Sequence, residues 1–402
     1  MSLTPDTLLR RMDELSIQVS AAGDTSAAAA AGNLVSCGPH GLAILDVFSE
    51  PTTFSDALEA LGARVHGAQD WIDLTAAITR LHAEAILVVE GEARRDAEIP
   101  LRGSFDSPGP HVAMLDDRVR TAAFLAALDE VVGDEDVVVD IGTGTGILAA
   151  RAARAGAARV YAVEATPIAR HARAVFEAND VGDRVTLVEG WSTRVTLPER
   201  ADVVVAEILG SEALEERALH VLLDARRRHL KPGGRLVPSR LRVFGVPVAV
   251  PEETLGTVTF TPSNTRRWSS WYGLDLAPLG AYSARLRHRL TLPIADVREW
   301  EPLSDPVLLV DFSLADLETP AVDVLVGGTA SSSGDANGAY AFFEAELSPG
   351  ETLTTNPAAE HGVTSWGLPV WLFSESIPLS SGKEFGLGYT YRGGAGHLRL
   401  VQ

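Results

Sequence analysis

The most restrictive stretch of this 402-residue chain is Asp140-Ile-Gly142-Thr-Gly144-Thr-Gly146. It follows an apolar run, DVVVD, and precedes a helical pattern, LAARAARAG. Glycines let the backbone turn tightly and approach a ligand, and the following helix N-terminus favours an anionic group. Glu164 ends the next apolar run, RVYAVE, where a carboxylate can accept both hydroxyls of a ribose. The loop and the acid together predict a nucleotide-type cofactor. A dinucleotide fits less well, because Thr145 alone separates the second and third glycines, where the dinucleotide fingerprint has two residues.

Around this loop, from about residue 110 to 240, strand and helix patterns alternate. DVVVD, RVYAVE, RVTLVEG and ADVVVAE read as strands, and PIARHARAVFEAND and EALEERALHVLLDARRRHL read as helices. Alternation of this kind implies parallel pairing in a doubly wound α/β sheet. Beyond residue 240 the chain is rich in Val, Leu, Thr, Pro and Gly, with short runs such as AYAFFEAEL and FGLGYTY. That pattern predicts an antiparallel barrel or sandwich. The first 100 residues read differently again. A heptad-like stretch from Leu8 to Val19 predicts a helix, and an alanine run fills 27–31. Thr53 and Asp56 form a capping-box pattern before TTFSDALEAL runs on, DWIDLTAAITRLHAEA is helical, and ILVVE is a strand. This order resembles a winged-helix module or a small peptide-carrier-type domain, joined onward by a charged linker, EGEARRDAEIP. The expected division is a mainly helical domain over 1–100, a cofactor domain over 101–238 and a barrel over 239–402.

The formal charge of −20 argues against a nucleic-acid partner, since such binding rests on Lys and Arg neutralising phosphates. It suits a cationic substrate better. A single cysteine, Cys37, excludes an internal disulfide and a cysteine-based zinc cluster, so no metal is expected. No long uninterrupted apolar run predicts a membrane span, and the N-terminal residues lack a secretory pattern. The expected compartment is therefore the cytoplasm. Lysine is confined to Lys231 and Lys383 while Arg and Ala abound, a composition that looks like high-GC bacterial coding.

The loop resembles that of class I S-adenosylmethionine methyltransferases, and further motifs resemble the protein arginine methyltransferase family. His111-Val-Ala-Met114-Leu-Asp-Asp-Arg-Val-Arg120-Thr121 is similar to the family's cofactor-lid helix. Glu207 and Glu216 stand nine positions apart around Gly210, the spacing of the family's paired-glutamate loop. TRRWSSWYGLDLAPL resembles the segment leading into a dimerisation arm, here about 262–300, and Thr364-Ser365-Trp366 resembles the family's threonine–histidine–tryptophan loop. The resemblance spans about 105–402 and implies a Rossmann-like sheet, an antiparallel barrel and a homodimer. It implies S-adenosylmethionine as cofactor, held by Met114, Arg120, Asp140, Gly142, Gly144, Gly146, Glu164, Ser192 and Thr193. Arg120 would pair with the cofactor carboxylate, which a planar guanidinium matches bidentately. Glu207 and Glu216 would hold the acceptor guanidinium, with Ser365 and Trp366 beside it.

The chain also departs from the pattern. Ser365 replaces the loop histidine, Thr193 replaces an adenine-side glutamate, and the tyrosine-rich lid is reduced to Ser104-Phe105-Asp106-Ser107. These changes, with the extra N-terminal domain, point to an acceptor of altered shape: free arginine or a small arginine-like metabolite. The alternatives are a protein-borne arginine, a small-molecule N- or O-methyltransferase on the same scaffold, and a non-catalytic cofactor sensor.

Overall fold

Every residue of Val137–Ile141 is buried, as in a strand covered on both faces. In the computed structural model this strand, β1, lies at the centre of a parallel sheet. Its neighbours are β2 (Arg159–Glu164), β3 (Val185–Glu189), β4 (Ala201–Ala206) and β5 (Leu230–Val237), in the order β5-β4-β1-β2-β3. The chain runs from β1 through β2 to β3 at one edge, then returns to β4 on the far side of β1. Ligands in open parallel sheets bind at such a reversal, beyond the carboxyl ends of the strands. Helices α1 (Pro108–Asp116), α2 (Arg118–Val131), α3 (Ile147–Ala155), α4 (Ala169–Ala178) and α5 (Ala218–Arg228) accompany the sheet. α3 buries Leu148, Ala149, Ala150, Ala152 and Ala153, and α4 buries Ala169, Ala172 and Phe176 at helical spacing. The structure describes residues 4–12, 15–19, 25–29, 35–38, 40–62, 64–83, 86–89, 105, 107–283, 288–359, 365–392 and 395–401.

After β5 the strands turn antiparallel. β6 (Arg240–Val248), β7 (His288–Pro293), β8 (Val307–Ser313), β10 (Gly334–Ser348) and β12 (Gly367–Leu379) pair in the order β7-β12-β10-β6-β8, and β11 (Glu351–Thr354) joins β10. A second sheet holds β9 (Val322–Thr329), β13 (Glu384–Arg392) and β14 (Ala395–Val401) in the order β9-β13-β14. Successive strand residues point to opposite faces, so Phe343 joins the core shared with the parallel sheet while Phe342 joins a separate cluster with Val246, Val248 and Leu368. Between β6 and β7 lie the helices Glu252–Val258 and Pro262–Tyr272. Thr261 caps the second by accepting a bond from the Asn264 N–H, and Trp271, Tyr272 and Leu274 at its end are exposed.

The N-terminal unit has its own core, centred on Leu9, Ile44, Phe48, Leu61, Ile78 and Leu81. The capping box is present: Thr53 Oγ1 accepts the Asp56 N–H at 3.0 Å and donates to the Asp56 carboxylate at 2.6 Å. The helices Phe54–Gly62 and Ala68–Ala83 and the strand Leu87–Val89 stand where the sequence puts them. The expected helix over Leu8–Val19 is replaced by strands Leu8–Arg11 and Leu15–Val19. Leu15, Ile17 and Val19 recur every second residue, and that period suits a strand. The first three residues of the alanine run, Ala27–Ala29, also lie in a strand, Thr25–Ala29, which is paired on both sides. Pairing there overrides alanine's helical preference. The linker EGEARRDAEIP lies outside the described residues. No helix among the described residues is long and apolar enough to cross a membrane.

Candidate active site

β1 ends in the glycine loop. Gly142, Gly144 and Gly146 all adopt positive φ, at 72°, 54° and 85°. Gly146 is held to glycine twice over: a Cβ there would also lie 2.5 Å from the Phe176 ring of α4. Asp140 is buried beneath the loop, and its Oδ2 accepts the Thr143 hydroxyl. Its Oδ1 has no hydrogen-bond partner. Burial pushes this carboxyl up to about 7, against the opposing hydrogen bond from Thr143.

Glu164, at the carboxyl end of β2, sits beside the same loop. It accepts the Gly144 N–H at 2.8 Å through one oxygen and the Thr166 N–H at 2.7 Å through the other. Each oxygen keeps a second lone pair. His111 of α1, not singled out from the sequence as a site residue, is buried against Gly144 and bonds through Nε2 to the Phe105 carbonyl at 2.9 Å. Further along, the Ser192 carbonyl is bonded by Arg228 and by His229, whose Nε2 lies at 3.1 Å. Thr193, half-buried, follows it.

Across the reversal point, β4 delivers Glu207 directly after its last residue, Ala206. The Glu207 carboxylate forms an ion pair with Arg120 of α2, and both side chains are nearly buried, at 9% and 11% exposure. Burial lowers the Arg120 guanidinium to about 10. Arg120 also lies 3.5 Å from Met114 Sδ and bonds the Met114 carbonyl at 3.3 Å. Its guanidinium carbon stands 5.6 Å from the centre of the Trp366 ring. Trp366 is buried, donates from its indole N–H to the Leu209 carbonyl at 2.8 Å, and packs edge-on to Phe343. Ser365 is exposed, but its backbone N–H donates to Asp117 Oδ2 at 2.5 Å. Asp117 caps α2 as well, accepting the Arg120 N–H at 3.0 Å. It therefore ties the lid helix to the Ser365 loop, a link whose sequence signal is an aspartate at the N-cap position of α2. Thr364 lies outside the described residues.

Glu216 lies in a single 3₁₀ turn, Glu215–Arg217, and its side chain lies outside what the structure describes. Of the glutamates between Glu207 and Glu216, Glu212 is buried, its Oε1 accepting the Tyr389 hydroxyl at 2.6 Å. Glu215 forms an ion pair with Arg289.

Comparison with known proteins follows the same lines. A family model described as ribosomal protein L11 methyltransferase (PrmA) matches residues 119–241. Over 178 residues the chain is 39% identical to a probable protein arginine N-methyltransferase 6.1 of Oryza sativa subsp. indica, covering 44% of this chain and 45% of the relative. Over 281 residues it is 32% identical to a probable histone-arginine methyltransferase CARM1 of the same rice, covering 67% and 52%. It thus spans about half the length of these rice relatives. Over 312 residues it is 28% identical to protein arginine N-methyltransferase PRMT10 of Arabidopsis thaliana, covering 72% and 81%. Among solved structures, the Trypanosoma brucei PRMT1 enzyme–prozyme complex with AdoHcy superposes at a TM-score of 0.62 with 22% identity, covering 71% of this chain and 88% of that one. The chain shares the fold of the protein arginine methyltransferases.

Proposed function

We propose that the chain transfers a methyl group from S-adenosylmethionine to a guanidino nitrogen of an arginine carried by a protein or peptide. The observation that carries this reading is Glu207. A nearly buried carboxylate at the reversal point of the sheet already holds a guanidinium, that of Arg120, beside the Trp366 ring. An acceptor arginine presents the same group to the same surroundings.

The residues present fit the cofactor. Three glycines with positive φ expose loop backbone, Glu164 has lone pairs left for ribose hydroxyls, and the buried Asp140 Oδ1 lacks a donor. When bound, S-adenosylmethionine supplies an electrophilic methyl on a sulfonium. The chain's task is then to hold a poor nucleophile in line, because a guanidinium is cationic and its lone pairs are delocalised. Glu207 and Glu216 would bind its donors from two sides, concentrate electron density on the attacking nitrogen and stabilise the charge that develops. A carboxylate then takes the departing proton. Arg120 would hold the cofactor carboxylate, which would leave Glu207 to the acceptor.

Relatives named for protein and histone arginine support a peptide-borne arginine over the free arginine expected from the sequence. The test compares kcat/KM for an arginine–glycine-rich peptide with that for free arginine. A peptide preference of about tenfold or more, roughly 1.4 kcal/mol, is expected. A comparable preference for free arginine overturns the peptide reading and leaves the chemistry standing.

The assembly is proposed to be a homodimer. Trp271, Tyr272 and Leu274 are 61%, 65% and 62% exposed at the end of the helix Pro262–Tyr272, where the arm was expected. Apolar side chains grouped at one tip suit burial against a second copy. Sedimentation should give the dimer mass, and Trp271→Ser with Leu274→Ser should shift it toward monomer. A wild-type chain that sediments as a monomer at all concentrations refutes the dimer.

A further inference from the structure

Between the two glutamates of the proposed acceptor pair lies a charge cluster built on one buried carboxylate. Glu212 is 2% exposed. Its Oε1 accepts the Tyr389 hydroxyl at 2.6 Å, and its Oε2 lies 3.5 Å from the Arg289 guanidinium without a hydrogen bond. The space is reserved for this carboxylate, since a Cβ on Gly396 would fall 1.4 Å from Glu212 Oε1. Arg289 also forms the ion pair with Glu215, whose Oε2 accepts the Glu212 N–H at 3.2 Å. The Arg289 guanidinium lies 5.5 Å from the centre of the Trp371 ring, its cross-strand neighbour. Trp371 is fixed in turn by donating to the Gly396 carbonyl at 3.2 Å.

A buried carboxylate is poor material for stability alone, because desolvation offsets most of what its ion pair returns. Burial accordingly raises the Glu212 carboxyl, with Tyr389 and Arg289 opposing. Such a cluster fixes geometry. It joins the Glu207–Glu216 loop to β7 and to β13, and its last member, Glu215, precedes Glu216 in the same turn. The backbone there is not relaxed by itself. Arg217 closes the turn in the left-handed region at φ 60°, a conformation that non-glycine residues keep only when their surroundings impose it.

We propose that Arg289 is a positioning residue for the methyl-transfer reaction: held by Glu212, Glu215 and Trp371, it fixes the turn that carries Glu216. This rests on the arginine methyltransferase reading. It assigns Glu212, Tyr389 and Gly396 to the same device, acting through Arg289 and the turn.

Two measurements test it. In Arg289→Met, amide hydrogen exchange across 211–217 should speed up while exchange in β1 and β4 stays as in wild type. In steady-state kinetics with the arginine peptide, Arg289→Met should lower kcat/KM by about 30-fold or more while the Kd for S-adenosylhomocysteine moves less than about threefold. Arg289→Lys should recover part of the loss, since it keeps the charge without the fork. Tyr389→Phe, which removes only one hydroxyl, guards against misfolding and should move both readouts the same way to a smaller extent. Unchanged exchange in both Arg289→Met and Tyr389→Phe overturns the proposal, as does a loss of cofactor binding that matches the loss of turnover. A wild-type chain that methylates no arginine overturns the underlying reading, and the exchange experiment still judges the clamp.

Discussion

Glu207→Gln should lose about three orders of magnitude in kcat, roughly 4 kcal/mol of transition-state stabilisation, and still bind S-adenosylhomocysteine. The substitution keeps shape and removes charge. That charge is nearly buried and held by Arg120. An amide can still accept a hydrogen bond from a guanidinium. It cannot concentrate electron density on the attacking nitrogen or offset the positive charge left after transfer. Cofactor affinity should hold or rise, because Arg120 then has no competing carboxylate. Glu216→Gln should act in the same direction, and the double variant should fall well short of the product of the two losses, as for groups acting as a unit. The assay is steady-state turnover with an arginine peptide, paired with calorimetry on S-adenosylhomocysteine. A Glu207→Gln protein within about threefold of wild-type kcat would falsify the assignment and leave Glu207 as a structural partner of Arg120.

How much of this was legible in sequence depends on the range of the signal. The glycine loop and Glu164 are local features. Spacing along one strand–loop–helix unit places them, and the structure joins them by the Gly144 N–H bond to Glu164. The alternation of apolar runs with helical runs was enough for the parallel sheet, because each period is written within about ten residues. The Leu8–Val19 stretch misled because leucines at heptad-like spacing coincided with a two-residue period, and only pairing decides between them. The Glu212–Arg289–Tyr389 cluster was illegible for another reason. Its members are separated by 77 and 177 residues from Glu212, and a glutamate among glutamates reads as solvated until a strand from elsewhere covers it. Asp117 falls between these cases. Its capping role is local, whereas its bond to the Ser365 N–H crosses 248 residues.

The second large effect should fall on cofactor affinity, in Glu164→Ala. Glu164 does two things at once. Its oxygens accept the N–H groups of Gly144 and Thr166, which holds the glycine loop against the end of β2. Its remaining lone pairs are the acceptors available for two ribose hydroxyls. Alanine removes both functions and leaves two backbone donors without their carboxylate. Hydrogen bonds to a charged acceptor contribute roughly 1.5–3 kcal/mol each, so the Kd for S-adenosylhomocysteine should rise by about two orders of magnitude or more. Asp140→Asn is the informative contrast. Burial pushes the Asp140 carboxyl up to about 7, so the neutral form is already favoured below that pH. Asparagine imitates the neutral form and still offers an oxygen to the Thr143 hydroxyl. At pH 6 its cost in affinity should therefore be several-fold smaller than that of Glu164→Ala, and the gap should narrow as pH rises through about 7, where wild type gains a charge that asparagine lacks. Calorimetric titration at pH 6 and pH 8 reads both variants, with NAD as the control ligand that should not bind. Equal losses for the two variants at pH 6 would show the loop responding to any change beneath it, and tight NAD binding would return the chain to the dinucleotide-binding proteins.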